Sequence, residues 1–597
     1  MTSRKSTHTV RIGGASGFWG DSMVGAPQLV NAGQIDYLVF DYLAETTMAI
    51  LAAARTRKPE MGYATDFVDI AMKAVLPQVM QQKIRVVANA GGMNPRGCAA
   101  ALQTLADSMG LMPRIAIVEG DDISALVPAL RSANVRDMFT GDPLPQKVLS
   151  ANAYLGAVPV ARALAQGADI VITGRGVDSA VTLGPLIHEF GWSLQDYDRL
   201  AGGSLAGHII ECGCQATGGL HTDWERVPNW ANIGYPIVEC HEDGSFVLSK
   251  PPGTGGVILR AAVAEQLLYE IGDPGAYLLP DVTCDFRRVR IEQLDAEHVQ
   301  VSGACGRAPS GQYKVSATSL DGWRCTGAML IVGIDAAAKA RRTGEAVIER
   351  VRNIYRELGM EDFRSAAVEL LGAETLYGPH ARAGNAREVM VRVAVSHTQK
   401  EALTIFAREI APSGTSWAPG TTGPGGGRPS PSPHIKPFSF LIDKSRVAVR
   451  VQLGEQTTGV EIPAGQGNIA PPPALDDPPA WAAGAYDLVS VPLIRLAWAR
   501  SGDKGDISNI GLVARRPEWL PLLWSQVTPA AVKSYLGHLV KGTVERFYLP
   551  GIDAMNLVMH EALDGGGPAS TRNDPLGKGM AQILLEMPVH VPCSLFI

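Results

Sequence analysis

The chain has no apolar stretch long enough to cross a bilayer: apolar runs such as AMLIVG at 328–333 and DIVITG at 169–174 are strand-length, far short of the roughly 20 residues a membrane helix needs. Cysteine is also scarce. Eight cysteines (98, 212, 214, 240, 284, 305, 325 and 593) in 597 residues are too sparse for a disulfide scaffold, and free thiols in a reducing compartment are expected. Charge is low and mixed, with 19% charged residues, a net charge of −6 and no block of one sign, which argues against a nucleic-acid surface. The first residues, 1–9, are polar and lack the apolar centre of a signal peptide, so a cytosolic location is expected.

What is abundant is turn chemistry, with 65 Gly and 40 Pro beside an ordinary 46% hydrophobic content. A chain of this length exceeds what one core supports, so two or more domains are expected. From residue 10 to about 190, short apolar strands alternate with helical periodicity, the mark of a largely parallel sheet covered by helices. The strands are expected at 10–12, 37–40, 84–88, 115–118 and 169–173, and helices at 64–82, 96–109 and 156–166, with Pro95 and Ser22 suited to a first turn or cap. Beyond Trp192 the pattern turns shorter and more β-like to residue 331, helical character returns at 335–358, and a strand-like run covers 388–394. The predicted fold is thus α/β, with a large domain over 8–411 containing a β-rich sub-region. A Pro/Gly-rich linker region with a strand pair follows over 412–487, and SGTSWAPGTTGPGGGRPSPSPH at 413–434 reads as a flexible segment. A compact α+β unit spans 488–597, with SGDKGD at 501–506 read as a loop.

Each early strand runs into a loop rich in Gly and polar residues, and the C-terminal edge of a parallel sheet is where ligands bind. The loops are GGASGFWGD at 13–21, DYLAE at 41–45, NAGGMN at 89–94, EGDD at 119–122 and GRGVDS at 174–179. The first carries Gly14, Gly17 and Gly20 at G-x-x-G-x-x-G spacing before Asp21, either a cradle for a phosphate or carboxylate or a tight structural turn. It is not the G-x-G-x-x-G fingerprint, although Asp41 lies where a dinucleotide fold keeps its ribose-binding acid, so an NAD(P)-dependent enzyme is one alternative. Asp41, Glu45, Glu119, Asp121, Asp122 and Asp178 would crowd carboxylates on one edge, raising some pKa values or recruiting Mg²⁺ or another divalent cation. The bland reading makes Asp122 a helix cap and Glu119 a solvated acid. Asn89, Asn94 and Arg175 are candidates for orienting a carboxylate or thioester oxygen, and Ser179 for a ligand contact. His208, Glu211, Cys212, Cys214 and His221, with Cys240 and His241, permit zinc, a nucleophilic thiol or plain packing. Lys504 in SGDKGD would reach a CoA phosphate or substrate carboxylate if the small domain packs over the sheet edge.

The motifs RIGGASGFWGDS at 11–22, FDYLAE at 40–45, NAGGMNP at 89–95, TGRGVDS at 173–179 and SGDKGD together resemble the AtuA-like acyclic terpene utilisation family. That resemblance extends over nearly the whole chain, with residues from 488 onward similar to the family's ferredoxin-fold C-terminal domain. It implies catabolism of branched, isoprenoid acyl-CoA thioesters. With the clustered acids it favours a lyase or hydratase of a hydroxyacyl-CoA, in which Asp41, Glu45, Glu119, Asp121, Arg175 and Asp178 carry the chemistry and CoA enters as part of the substrate. A non-catalytic subunit docking on another acyl-CoA pathway enzyme is the alternative from a different class. A homo-oligomer is expected from the size and loop content.

Overall fold

A computed structural model describes residues 8–596 apart from 33, 425 and 482–486. Its centre is an 11-stranded sheet whose middle holds five parallel strands, in spatial order Thr9–Gly14, Tyr37–Phe40, Arg85–Ala88, Ile170–Thr173 and Ile115–Glu119. The five strands expected from the apolar pattern are these, within two residues at each end. Alternation along each strand divides the core. Tyr37 and Val39 face one layer with Val87 and Val171, whereas Leu38 and Phe40 face the other with Val86, Ile170 and Ile172. Helices Gly25–Ala32, Lys73–Gln82 and Pro95–Ser108 cover the second layer, and Val158–Ala165, Ala180–Phe190 and Tyr197–Ile210 cover the first. Antiparallel strands extend both edges, Ile237–His241 and Phe246–Ser249 on one side and Arg450–Leu453 with Gln456–Gly459 on the other.

A second sheet is built on one 21-residue strand, Gln312–Val332, which pairs with Glu388–His397, Ser432–Asp443, Thr421–Pro424 and Val148–Ala153. Helices Ala336–Leu358 and Lys400–Glu409 close a separate core against it.

The stretch after Trp192 is not simply β-like, because Tyr197–Ile210 and Arg260–Leu268 are helices. Both are enclosed along nearly their whole length, down to Glu265 and Gln266, so they carry no polar stripe from which helical period can be read. Nor is 413–434 a free linker. Its Thr421–Pro424 segment and the start of Ser432–Asp443 bond to the long strand, and Arg450–Leu453 returns to the large sheet, so backbone pairing holds a sequence whose side chains cannot form a core.

The C-terminal unit is a four-stranded antiparallel sheet, ordered Ala497–Lys504, Ile507–Ala514, Ala554–Met559 and Val544–Leu549, with helices Leu520–Gln526, Pro529–Tyr535 and Met580–Leu584 around its own core. SGDKGD is mostly strand. Residues 501–504 pair with 507–510, leaving Gly505, at φ +63°, and Asp506 to make the hairpin turn. This sheet rests on the buried helix Arg260–Leu268. Asn509 Nδ2 donates to Leu268 O at 2.7 Å, Asn556 Nδ2 donates to Ile271 O at 2.7 Å, and Arg515 grips Asp223 with two bonds of 2.8 and 2.6 Å. Among the described residues no helix is long and apolar enough to cross a membrane.

Gly511 marks how close that approach is, because a Cβ there would lie 2.2 Å from Leu268 Cβ. Gly511→Ala is expected to cost about 2 kcal/mol, read as a lowered calorimetric transition. An unchanged transition would show that the two layers are looser than described.

Candidate functional site

The parallel strands end in loops that meet at one rim, and three acids from distant segments converge there. Asp41 follows the Tyr37–Phe40 strand, Asp178 precedes the helix Ala180–Phe190, and Glu211 ends the helix Tyr197–Ile210. One carboxylate oxygen of each lies within 4.8 Å of the other two. Asp41 is 7% exposed, and its Oδ1 accepts from Asn89 Nδ2 at 2.5 Å and Leu43 N at 3.2 Å. Burial and then the charge of Asp178 push its carboxyl well above the usual range, against the pull of Arg175.

Arg175 is 5% exposed and bridges the group, donating from Nη1 to Leu43 O at 2.7 Å and to Asp178 Oδ1 at 3.2 Å, with its guanidinium 4.2 Å from the Tyr154 ring centroid. Its Nε is buried without a hydrogen-bond acceptor among the described residues. Arg175 and Asn89 also line a crevice walled mainly by Val118, Leu155, Val160, Val177 and Val181, so a guanidinium and a carboxamide border an apolar slot.

His208 lies one helical turn before Glu211, with Nδ1 3.0 Å from Glu211 Oε1 and Nε2 3.1 Å from both Gln266 O and Leu267 O. Two carbonyl oxygens at Nε2 require a proton on that nitrogen, so the proton between Nδ1 and Glu211 is shared by the pair. Burial opposes charge on His208, but Glu211 outweighs it and raises its pKa; burial likewise lifts Glu211 despite His208. Glu211 thus brings a hydrogen-bonded, buried imidazole alongside Asp41 and Asp178.

The C-terminal domain supplies the opposing charge. Lys504 Nζ lies 3.3 Å from Glu270 Oε2 and 3.9 Å from Asp178 Oδ2, and its side chain remains 45% exposed. Burial works against that ammonium, yet Glu270 and Asp178 hold it charged, well above the usual lysine range. Lys578 Nζ adds bonds of 3.1 Å to Glu270 Oε1 and 2.8 Å to Asp503 Oδ1. Burial alone would raise Glu270, but Lys504 and Lys578 depress it to about 2.

A family model described as acyclic terpene utilisation family protein AtuA matches residues 10–453. The chain belongs to the acyclic terpene utilisation family. The AtuA ferredoxin-like domain matches residues 491–590, within the C-terminal unit. No curated protein and no solved structure matches the chain.

Within this family member, Asp41, Asn89, Arg175, Asp178 and Lys504 meet at the rim, while other candidates are placed elsewhere. Glu119 is forked by Arg96, with bonds of 2.7 and 2.6 Å. Asn94 caps the helix Pro95–Ser108 by accepting from Gly97 N at 3.0 Å, and its amide donates to the carbonyls of Pro59, Glu60 and Met61. Asp122 caps its own turn through Ser124 N at 3.0 Å. The glycine loop is a closed turn instead of an open phosphate cradle. Asp21 already accepts from Gly17 N at 2.8 Å, Ser22 N at 2.6 Å and the Tyr235 hydroxyl at 2.9 Å. A Cβ on Gly14 would lie 2.5 Å from Ile210 O and one on Gly17 2.9 Å from Cys212, while Gly20 supplies φ +100°. Ser179 is buried against Gly207. The side chain of Glu45 lies outside the described residues. Cys240 is buried in the sheet, and among the described residues no cysteine joins the cluster of three acids. Tyr269, Glu270 and Lys578 had no sequence signal, since Tyr269 and Glu270 merely follow an apolar helix and Lys578 sits in an unremarkable PLGKGM.

Asp121 supports the site from beneath. It is 3% exposed, and its Oδ2 accepts from Arg175 N and Asn152 Nδ2, each at 2.8 Å. Burial pushes it from 3.8 up to about 7. The folded protein therefore holds a proton there that the unfolded chain releases, and this stabilisation is complete below the unfolded value and lost as pH rises through about 7. Asp121→Asn, which keeps an acceptor oxygen, is expected to remove that pH dependence and to gain on the order of 3 kcal/mol above it. Denaturant midpoints of both proteins between pH 4 and 8 check this, and parallel profiles would refute it.

Proposed function

We propose that this protein is an enzyme acting on branched or isoprenoid acyl-CoA thioesters, as a lyase or hydratase of a hydroxyacyl-CoA. Family membership supports the isoprenoid substrate class. The observation that carries the chemistry is the convergence of Asp41, Asp178 and Glu211 within 4.8 Å beside a buried guanidinium. A carboxyl whose pKa is raised is a stronger base once ionised, suited to removing a proton alpha to a thioester. Arg175, whose Nε has no acceptor among the described residues, is the group to stabilise an enolate-like oxygen. The same three acids can hold a divalent cation such as Mg²⁺, which would polarise the thioester carbonyl.

A second reading is a non-catalytic subunit docking on another acyl-CoA enzyme. It draws on exposed Phe18, Met23, Leu220, Trp224 and Trp230, large apolar side chains that a partner would cover.

Incubation of the purified protein with isoprenoid hydroxyacyl- and enoyl-CoAs, with and without Mg²⁺, is expected to show a mass change of 18 Da for gain or loss of water, or cleavage of the acyl chain. Asp41→Asn is expected to slow this at least about 100-fold. Absence of turnover on every acyl-CoA under both conditions counts against the enzyme. Co-purification with a pathway enzyme, with Asp41→Asn leaving pathway flux unchanged, selects the subunit.

A further inference from the structure

Lys578 Nζ, besides its bonds to Glu270 and Asp503, donates to the Tyr269 hydroxyl and lies 4.5 Å from the ring centroid. Tyr269 is the first residue past the helix Arg260–Leu268, and the next, Glu270, has φ +59°. A left-handed non-glycine backbone is strained and persists where its surroundings fix it. Here the C-terminal hairpin does so, because a Cβ on Gly502 would come within 2.7 Å of Glu270 N. The phenol is thus held at the seam between domains, with an ammonium at its oxygen. Glu270 and Lys504 continue the line of charge from it to Asp178. Burial and the charge of Glu270 keep Tyr269 protonated at neutral pH, despite Lys578.

We propose that Tyr269 is a further catalytic residue, the general acid facing the leaving hydroxyl, with Lys578 as its positioning residue. This rests on the hydro-lyase reading above. In the eliminating direction a carboxylate of the rim takes the proton alpha to the thioester. The C–H electron pair becomes the new C=C bond. The C–O bond breaks with its electrons on oxygen, which takes the phenolic proton and leaves as water. The phenolate is stabilised by the Lys578 ammonium, and the proton on the carboxylate returns to it through solvent, so that enzyme and atoms balance. Hydration is the same sequence reversed. The two ends of the site have different origins: the large domain provides the base and the phenol, and the C-terminal domain provides the ammonium at the phenol oxygen, where charge develops as the proton leaves.

The experiment compares wild type, Tyr269→Phe, Lys578→Met and Lys578→Arg on the hydroxyacyl-CoA that wild type turns over best. Tyr269→Phe is expected to lose about 100-fold or more in kcat with KM within about threefold. Lys578→Met should show the same split, partly rescued by Lys578→Arg. Active wild type with Tyr269→Phe within about threefold of it in kcat overturns the role of Tyr269 alone, whereas wild type inactive on all acyl-CoAs overturns the hydro-lyase reading and this one together. If Tyr269→Phe does not fold, Lys578→Met, whose side chain is partly exposed, decides, and an unchanged kcat there overturns the proposal.

Discussion

Lys504 places one ammonium between Asp178 of the large domain and Glu270 at the domain seam, and the arrangement of the site depends on that bridge. Without a cation there, Asp41, Asp178, Glu211 and Glu270 would repel one another in a largely buried space, where carboxylates are expensive to keep ionised. With it, Glu270 stays ionised while Asp41 and Glu211 remain above their usual range. One rim therefore holds acids with opposite protonation tendencies, the condition under which paired carboxyl groups divide into acid and base roles.

Holding that ammonium in place is the work of the domain interface. The helix Arg260–Leu268 is enclosed by the large domain on one side and the C-terminal sheet on the other, and its last turn presents Gln266, Leu267 and Leu268 carbonyls to His208 and Asn509. Its buried Glu265 pairs with His221 at 2.6 Å and with Arg500 at 3.4 Å, tying both domains to the same helix. Reach and rigidity are thus combined. The Lys504 hairpin is short and anchored, and the acids sit at strand and helix ends, where backbone geometry leaves little freedom.

The five parallel strands were legible because each is a short apolar run bounded by turn residues, and the positions of Asp41, Asn89, Arg175 and Asp178 followed from the loops after them. Lys504 was readable as a cation in a tight turn, while its place over the sheet edge was not, because that depends on Asn509, Asn556 and Arg515 meeting backbone and side chains hundreds of residues away. The glycine loop was readable either as a cradle or as a tight turn. Its spacing suits an anion cradle, but Asp21 supplies the anion from within the chain. Glu119 and Asn94 show the same limit, since an acid or amide after a strand is equally good at pairing an arginine or capping a helix. Helices 197–210 and 260–268 were hidden because burial all round removes the polar face that periodicity needs.

The central claim, that Lys504 couples the two domains electrostatically, is tested most directly by amide hydrogen exchange across residues 497–514. The proteins to compare are wild type, Lys504→Met, Glu270→Gln and the double variant. The account predicts that each single change speeds exchange in this hairpin and that the double variant exchanges no faster than the worse single one. Exchange that is unaffected by either substitution, or effects that simply add, would contradict it.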